Sequence, residues 1–132
     1  MAALHEPDEL VADRVRSICL ALPETYEEPA WVGVRWRIRK RTVAHVFSID
    51  LEGQSQPTNA VMFRSTGPEL DVLRGIGPPY FTGWKDAAMM ALDDRTDWTE
   101  VAELLTESYR FLAPKKLVAR LDASALDGEG DG

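Results

Sequence analysis

Val11, Val15, Ile18, Cys19 and Leu22 recur at intervals of three and four residues. That spacing makes one apolar stripe and predicts a first helix over residues 8–22, ended by Pro23. Asp8, Glu9 and Asp13 near its start suit the positive end of the helix dipole. The period then falls from 3.6 to 2. Between Trp31 and Lys40, Val32, Val34, Trp36 and Ile38 alternate with Arg35, Arg37 and Arg39, the pattern of a half-buried strand. By the same alternation Trp31 falls on the arginine face. Residues 42–51 continue as a more apolar strand through Val43, Val46, Phe47 and Ile49, with Lys40 and Arg41 at the intervening hairpin tip. A polar loop over 53–57 leads to a third strand, 58–64.

Thr66, Pro68 and Glu69 have the spacing of a capping box and predict a short helix that stops at Gly75. Pro78 and Pro79 follow in a stiff turn that lacks two amide donors, so its GxG is weak evidence for a nucleotide loop. Residues 80–83 read as extended and 86–92 as a last strand, whose Ala-Ala-Met-Met-Ala run suits burial beneath a helix. Asp97 and Glu100 then open a long helix with Trp98, Val101, Ala102, Leu105, Tyr109 and Leu112 on one stripe. A helical turn after Pro114 is expected to reach Leu121. Residues 122–132, with Asp122, Asp127, Glu129 and Asp131 and little apolar content, are expected to be a disordered acidic tail. Residues 1–121 therefore form one domain. Its order of elements predicts an α+β two-layer sandwich, with N- and C-terminal helices on one face of an antiparallel sheet of about five strands.

Composition narrows the function more than it names it. The chain has 132 residues, 45% of them hydrophobic, which is enough for one core. Its start turns acidic where a signal peptide would be basic and then apolar, and no run approaches the roughly 18 apolar residues of a membrane span. A cytoplasmic location without membrane contact is the expectation. Cys19 is the only cysteine, and with His5 and His45 it makes a poor set for zinc, so neither metal nor cofactor is expected. No GxSxG, Walker loop, HExxH or CxxC occurs. Glu24, Glu27, Glu28 and His45 are the candidate acid–base groups, but nothing in the sequence pairs them, and no catalytic activity is expected. Trp36, Phe47, Phe63, Trp98 and Phe111 read as core aromatics.

Charge is distributed unevenly. Arg35, Arg37, Arg39, Lys40 and Arg41 carry +5 within residues 31–45, so the other residues carry −12 against a total of −7. On an extended strand the three arginines stand about 7 Å apart, comparable to neighbouring phosphates, and Trp31 beside them suits base stacking. Trp31, Arg35, Arg37, Arg39, Lys40 and Arg41 are thus the candidate site for DNA or another polyanion. The same guanidinium chemistry suits an acidic or phosphorylated protein partner or a small anionic ligand. A third reading has the arginines paired with Glu24, Glu27 or Glu28 and exposed to water with no ligand at all.

Leu22-Pro23-Glu24, Glu27, Trp31, Lys40 to Ala44, Pro78-Pro79-Tyr80, Trp84 and Glu107-Ser108-Tyr109 together resemble the MmcQ/YjbR family, over most of residues 8–121. The resemblance implies a fold similar to that of the frataxins, the CyaY-like fold, which agrees with the elements above. It implies no catalytic residues. Some members have been proposed to bind DNA through a double wing of hairpins, a role that would fall here on Arg35, Arg37, Arg39, Lys40 and Arg41. The acidic iron-binding ridge of frataxins has only a sparse counterpart in Glu6, Asp8, Glu9 and Asp13, interrupted by Arg14 and Arg16.

Overall fold

The computed structural model describes residues 3–130. Helix α1 covers Glu9–Leu20, and its N-cap is Asp8, whose carboxylate accepts from the amides of Leu10 (2.9 Å) and Val11 (3.3 Å). The sheet is antiparallel and seven-stranded. Its strands are β1 (Leu4–His5), β2 (Tyr26–Pro29), β3 (Val34–Ile38), β4 (Arg41–Ile49), β5 (Thr58–Arg64), β6 (Tyr80–Trp84) and β7 (Ala87–Leu92). They run in the order β2-β3-β4-β5-β7-β6, and β1 pairs with the far end of β4. Helices α2 (Gly67–Ile76), α3 (Trp98–Leu112) and α4 (Lys115–Gly130) complete the fold.

Alternation on the strands creates two unlike faces. Trp36, Ala44, Val46, Val61, Phe63, Ala88 and Met90 point to one side and pack against Ala12, Val15 and Cys19 of α1 and Val101 and Leu105 of α3. The N- and C-terminal helices therefore share one face, as predicted. Trp36, Val15 and Leu105 are fully buried there, each stabilising the fold by about 1.5–3 kcal/mol. Leu117 of α4 joins a second cluster with Leu22, Ile38, Val43, Tyr109 and Leu112 at the end of the same layer. Phe47, Ala60 and Met89 form a third cluster on the other face, with Val32, Leu51 and Phe81 around them.

Two strands beyond the expected five are β1 and β2. Two residues are too few to show a period, and Glu27, Glu28 and Pro29 hide the alternation of an edge strand. The run expected to start at Trp31 becomes a strand only at Val34, because Gly33 turns the backbone at φ +79°. Val32 consequently packs against Phe47 on the face opposite Trp36, not beside it. Thr66 precedes α2 without a side-chain cap, since Glu69 accepts from the Ser65 hydroxyl instead of closing the predicted box. The helix also runs one residue past Gly75, to Ile76, and ends at Gly77. After Leu121, where a disordered tail was expected, α4 continues to Gly130. Ala123, Ala125 and Leu126 favour helix, and Asp122 is ion-paired to Arg110 of α3. Residues 131–132 of that tail lie outside the described residues.

Candidate functional site

β2 sorts its two glutamates by face. Glu27 lies opposite Trp36 and Glu28 opposite Arg35 in the β2–β3 ladder. Glu27 therefore turns toward the helix layer, where it accepts from the Trp36 indole (3.0 Å) and from Arg16 Nε of α1 (2.6 Å). The hydrogen bond from Arg16 holds its carboxyl below the ordinary value, against partial desolvation. Glu28 turns toward the other face, where Arg35 and Arg37 both pair with its Oε1, Arg37 at 3.1 Å. Partial desolvation pushes that carboxyl up, but the hydrogen bonds and charges of the two arginines outweigh it and the net shift is downward.

One carboxylate thus serves two guanidinium groups, and one positive charge is left over. Neither arginine is fully satisfied. Arg35 Nε–H and Arg37 Nε–H are both buried without an acceptor. Arg64, at the end of β5, shows the same deficiency, and its nearest carboxylate oxygen, on Asp86, is 3.6 Å away. Arg35 pairs with His45, His45 with Met62 and Arg64 with Ala87 across the ladders, so Arg35 and Arg64 belong to one face. Arg64 lines a shallow depression of about 200 Å³ together with Thr42, His45, Met62 and Ala87.

Arg39 occupies the β3–β4 turn at φ +57°, and Tyr26 donates from its hydroxyl to the Arg39 carbonyl. Its side chain reaches Glu24 at 3.3 Å, and Arg120 of α4 approaches the same carboxylate at 3.6 Å. Lys40 and Arg41 are exposed at this tip and make no salt bridge among the described residues. Of the readings open for the three arginines, pairing with glutamate holds: Arg35 and Arg37 share Glu28, and Arg39 reaches Glu24 from a turn and not from the strand. Trp31 is corrected more severely. It lies in the loop before β3, wholly exposed (100%), and the length of β3, about 17 Å at the usual rise, separates it from the hairpin tip.

Sequence reasoning did not foresee that a second hairpin joins the first at this end of the sheet. Ile38 pairs with Arg41, Arg64 with Ala87, and Trp84 with Ala87. The turns Arg39-Lys40 and Lys85-Asp86, together with the end of β5, therefore form one edge. Six cations lie along it (Arg37, Arg39, Lys40, Arg41, Arg64 and Lys85), whereas Asp50, Glu52, Asp93 and Asp94 occupy the loops at the opposite edge.

The candidate acid–base groups are engaged elsewhere. Glu24, Glu27 and Glu28 hold arginines, and His45 donates from Nε2 to the Val32 carbonyl at 2.6 Å while tilting against Phe47. Cys19 is buried, which pushes its thiol up to about 12 with help from the charge of Glu27. Among the described residues no group of three or more His, Cys, Asp or Glu side chains is placed to hold a metal ion. No described helix is long and apolar enough to cross a membrane. Phe111, expected in the core, is 52% exposed, and the Arg64 guanidinium lies 5.5 Å over its ring.

Fold and site together define a small α+β sandwich with one densely basic sheet edge on an acidic body. The chain matches the YjbR family model over residues 20–111 and belongs to that family. No curated protein and no solved structure gives a significant match.

Proposed function

We propose that this chain is a non-catalytic binding module for polyanions, taking a nucleic-acid backbone along the basic edge of its sheet. The observation that carries the reading is the trio Arg35, Arg37 and Arg64. Each leaves a buried Nε–H without an acceptor, and the first two share one carboxylate. A buried donor without a partner is costly, and a turn of each partly exposed side chain that brings its Nε–H outward would let a phosphate oxygen satisfy it in the bidentate geometry that guanidinium favours. Lys40, Arg41 and Lys85 extend the same edge and add charge that steers an anion toward it. The net charge of −7 does not oppose this, because Glu24, Glu28 and Asp86, the acids near this edge, already pair with arginines, and Asp50, Glu52, Asp93 and Asp94 lie at the other edge. Engagement of Glu24, Glu27, Glu28 and His45 in structural contacts supports the absence of catalysis.

Binding of a fluorescent 20-nucleotide DNA, single-stranded or duplex, is the test, followed across a salt series from about 20 to 300 mM. Counterion release predicts a linear fall of log affinity with log salt, its slope set by the number of phosphates neutralised. Absence of binding at the lowest salt would overturn the reading.

A further inference from the structure

The exposed ring of Phe111 and the guanidinium above it belong to a second feature. A cleft of about 530 Å³ lies between the β5–α2 junction and the corner where α3 meets α4, lined among others by Arg64, Thr66, Glu69, Glu107, Arg110 and Phe111. Its size is in the range of pockets that hold small organic ligands. Arg64 and Arg110 supply two cations, and Arg64 Nε–H has no acceptor. Thr66 makes no cap bond to α2, which leaves its hydroxyl available. Two carboxylates share the cleft: Glu69 is tied to the Ser65 hydroxyl, and Glu107 stands 3.7 Å from Arg110.

Cations for a phosphate, a flat ring for stacking, and carboxylates that accept from an exocyclic amine are together the complement of one nucleotide. Arg64 belongs both to this cleft and to the basic sheet edge. We propose that the cleft takes one unpaired nucleotide of a single strand whose backbone runs along that edge. Its base stacks on Phe111 and its phosphate lies between Arg64 and Arg110. The strand's path rests on the polyanion reading above, whereas the cleft itself does not. Asp122 of α4 already holds Arg110, so its carboxylate competes with the phosphate for that guanidinium.

The full chain would be titrated with adenosine 5′-monophosphate, with a 12-nucleotide single strand and with the matching duplex, using wild type, Phe111→Ala, Phe111→Tyr and Asp122→Asn. Base stacking predicts a preference for the single strand over the duplex of about tenfold. Phe111→Ala should abolish that preference while keeping duplex affinity, and Phe111→Tyr should retain it. Asp122→Asn should tighten both the monophosphate and the single strand, a gain that a merely structural Asp122 would not produce. Equal wild-type affinity for strand and duplex, or a preference that survives Phe111→Ala, overturns the cleft and leaves the polyanion reading standing. Monophosphate binding without binding of either polymer keeps the cleft and overturns the polyanion reading. No binding of any probe overturns both.

Discussion

The Ser108 hydroxyl donates a 2.7 Å hydrogen bond to the carbonyl oxygen of Val43, 65 residues earlier in the chain. The Ser108 Oγ in turn accepts from the Arg64 amide at 2.9 Å, so one helix side chain closes the gap where β4 and β5 part at the basic edge. Ser108 and Val43 are fully buried. Ser108→Ala leaves a carbonyl and an amide without partners and should cost on the order of 3 kcal/mol in urea denaturation. Tyr109→Phe removes a single bond to the Pro23 carbonyl, 2.8 Å long, and should cost about 1 kcal/mol. A Ser108→Ala loss no greater than that of Tyr109→Phe would mean water replaces the hydroxyl.

Glu27 makes stability depend on pH with a definite sign. Its folded carboxyl, held down chiefly by the Arg16 hydrogen bond, titrates below the ordinary 4.5 of the unfolded chain. Its stabilising contribution is therefore complete above about pH 4.5 and is lost as pH falls through the folded value. Glu28 has the same sign. Glu27→Gln should be less stable than wild type at pH 7, and the difference should shrink through the acid range. Denaturation midpoints at several pH values would show it; a constant difference would mean that Glu27 acts only through the Trp36 hydrogen bond, not through its charge.

Gly33 has no substitute at its position. Its φ is +79°, a Cβ would collide with the Val46 carbonyl oxygen, and its amide donates to Glu6 at 2.6 Å. Gly33→Ala should destabilise by more than about 1 kcal/mol, read from the urea midpoint. A neutral result would show that the loop carrying Trp31 moves without cost.

How much of this was legible depended on how local the cause was. β5 was read residue for residue, because a polar loop precedes it and a Thr-Gly-Pro turn follows. The split of β3 into an arginine face and a buried face followed from period two alone. Trp31 was misplaced because alternation carries no information about a backbone that turns at Gly33. The sharing of Glu28 by Arg35 and Arg37 could be guessed but not assigned, since it depends on the register of an edge strand whose sequence, Tyr-Glu-Glu-Pro, does not read as a strand. Phe111 was misread for a similar reason. It follows Ser108 by one turn, where α3 has passed the end of β5 and has no sheet left to cover.

Arg39 separates structural from binding roles at the hairpin tip. A non-glycine residue at φ +57° carries a backbone cost on the order of 1 kcal/mol that glycine avoids. Arg39→Gly removes that cost and a weak, half-exposed pair with Glu24. The melting temperature should hold or rise slightly, while DNA affinity falls modestly for want of one cation. A clear loss of stability would instead make the Glu24 pair structural.

Reversing charge at the tip and releasing charge from Glu28 should move affinity in opposite directions. Lys40→Glu with Arg41→Glu puts two anions where two exposed cations stood, away from the core. Binding to DNA should weaken at every salt concentration, and the slope of log affinity against log salt should become shallower by about two. Glu28→Gln does the converse: it removes the one carboxylate that Arg35 and Arg37 share and releases both guanidinium groups from their acidic partner. If phosphate is their other partner, affinity at low salt should rise by about threefold, in the range expected for relieving an exposed ion pair. Anisotropy titrations of both variants, with circular dichroism to check the fold, decide the matter. Tip variants that weaken binding while Glu28→Gln leaves it unchanged would confine the interface to the hairpin turns and assign Arg35 and Arg37 to holding β2 on β3.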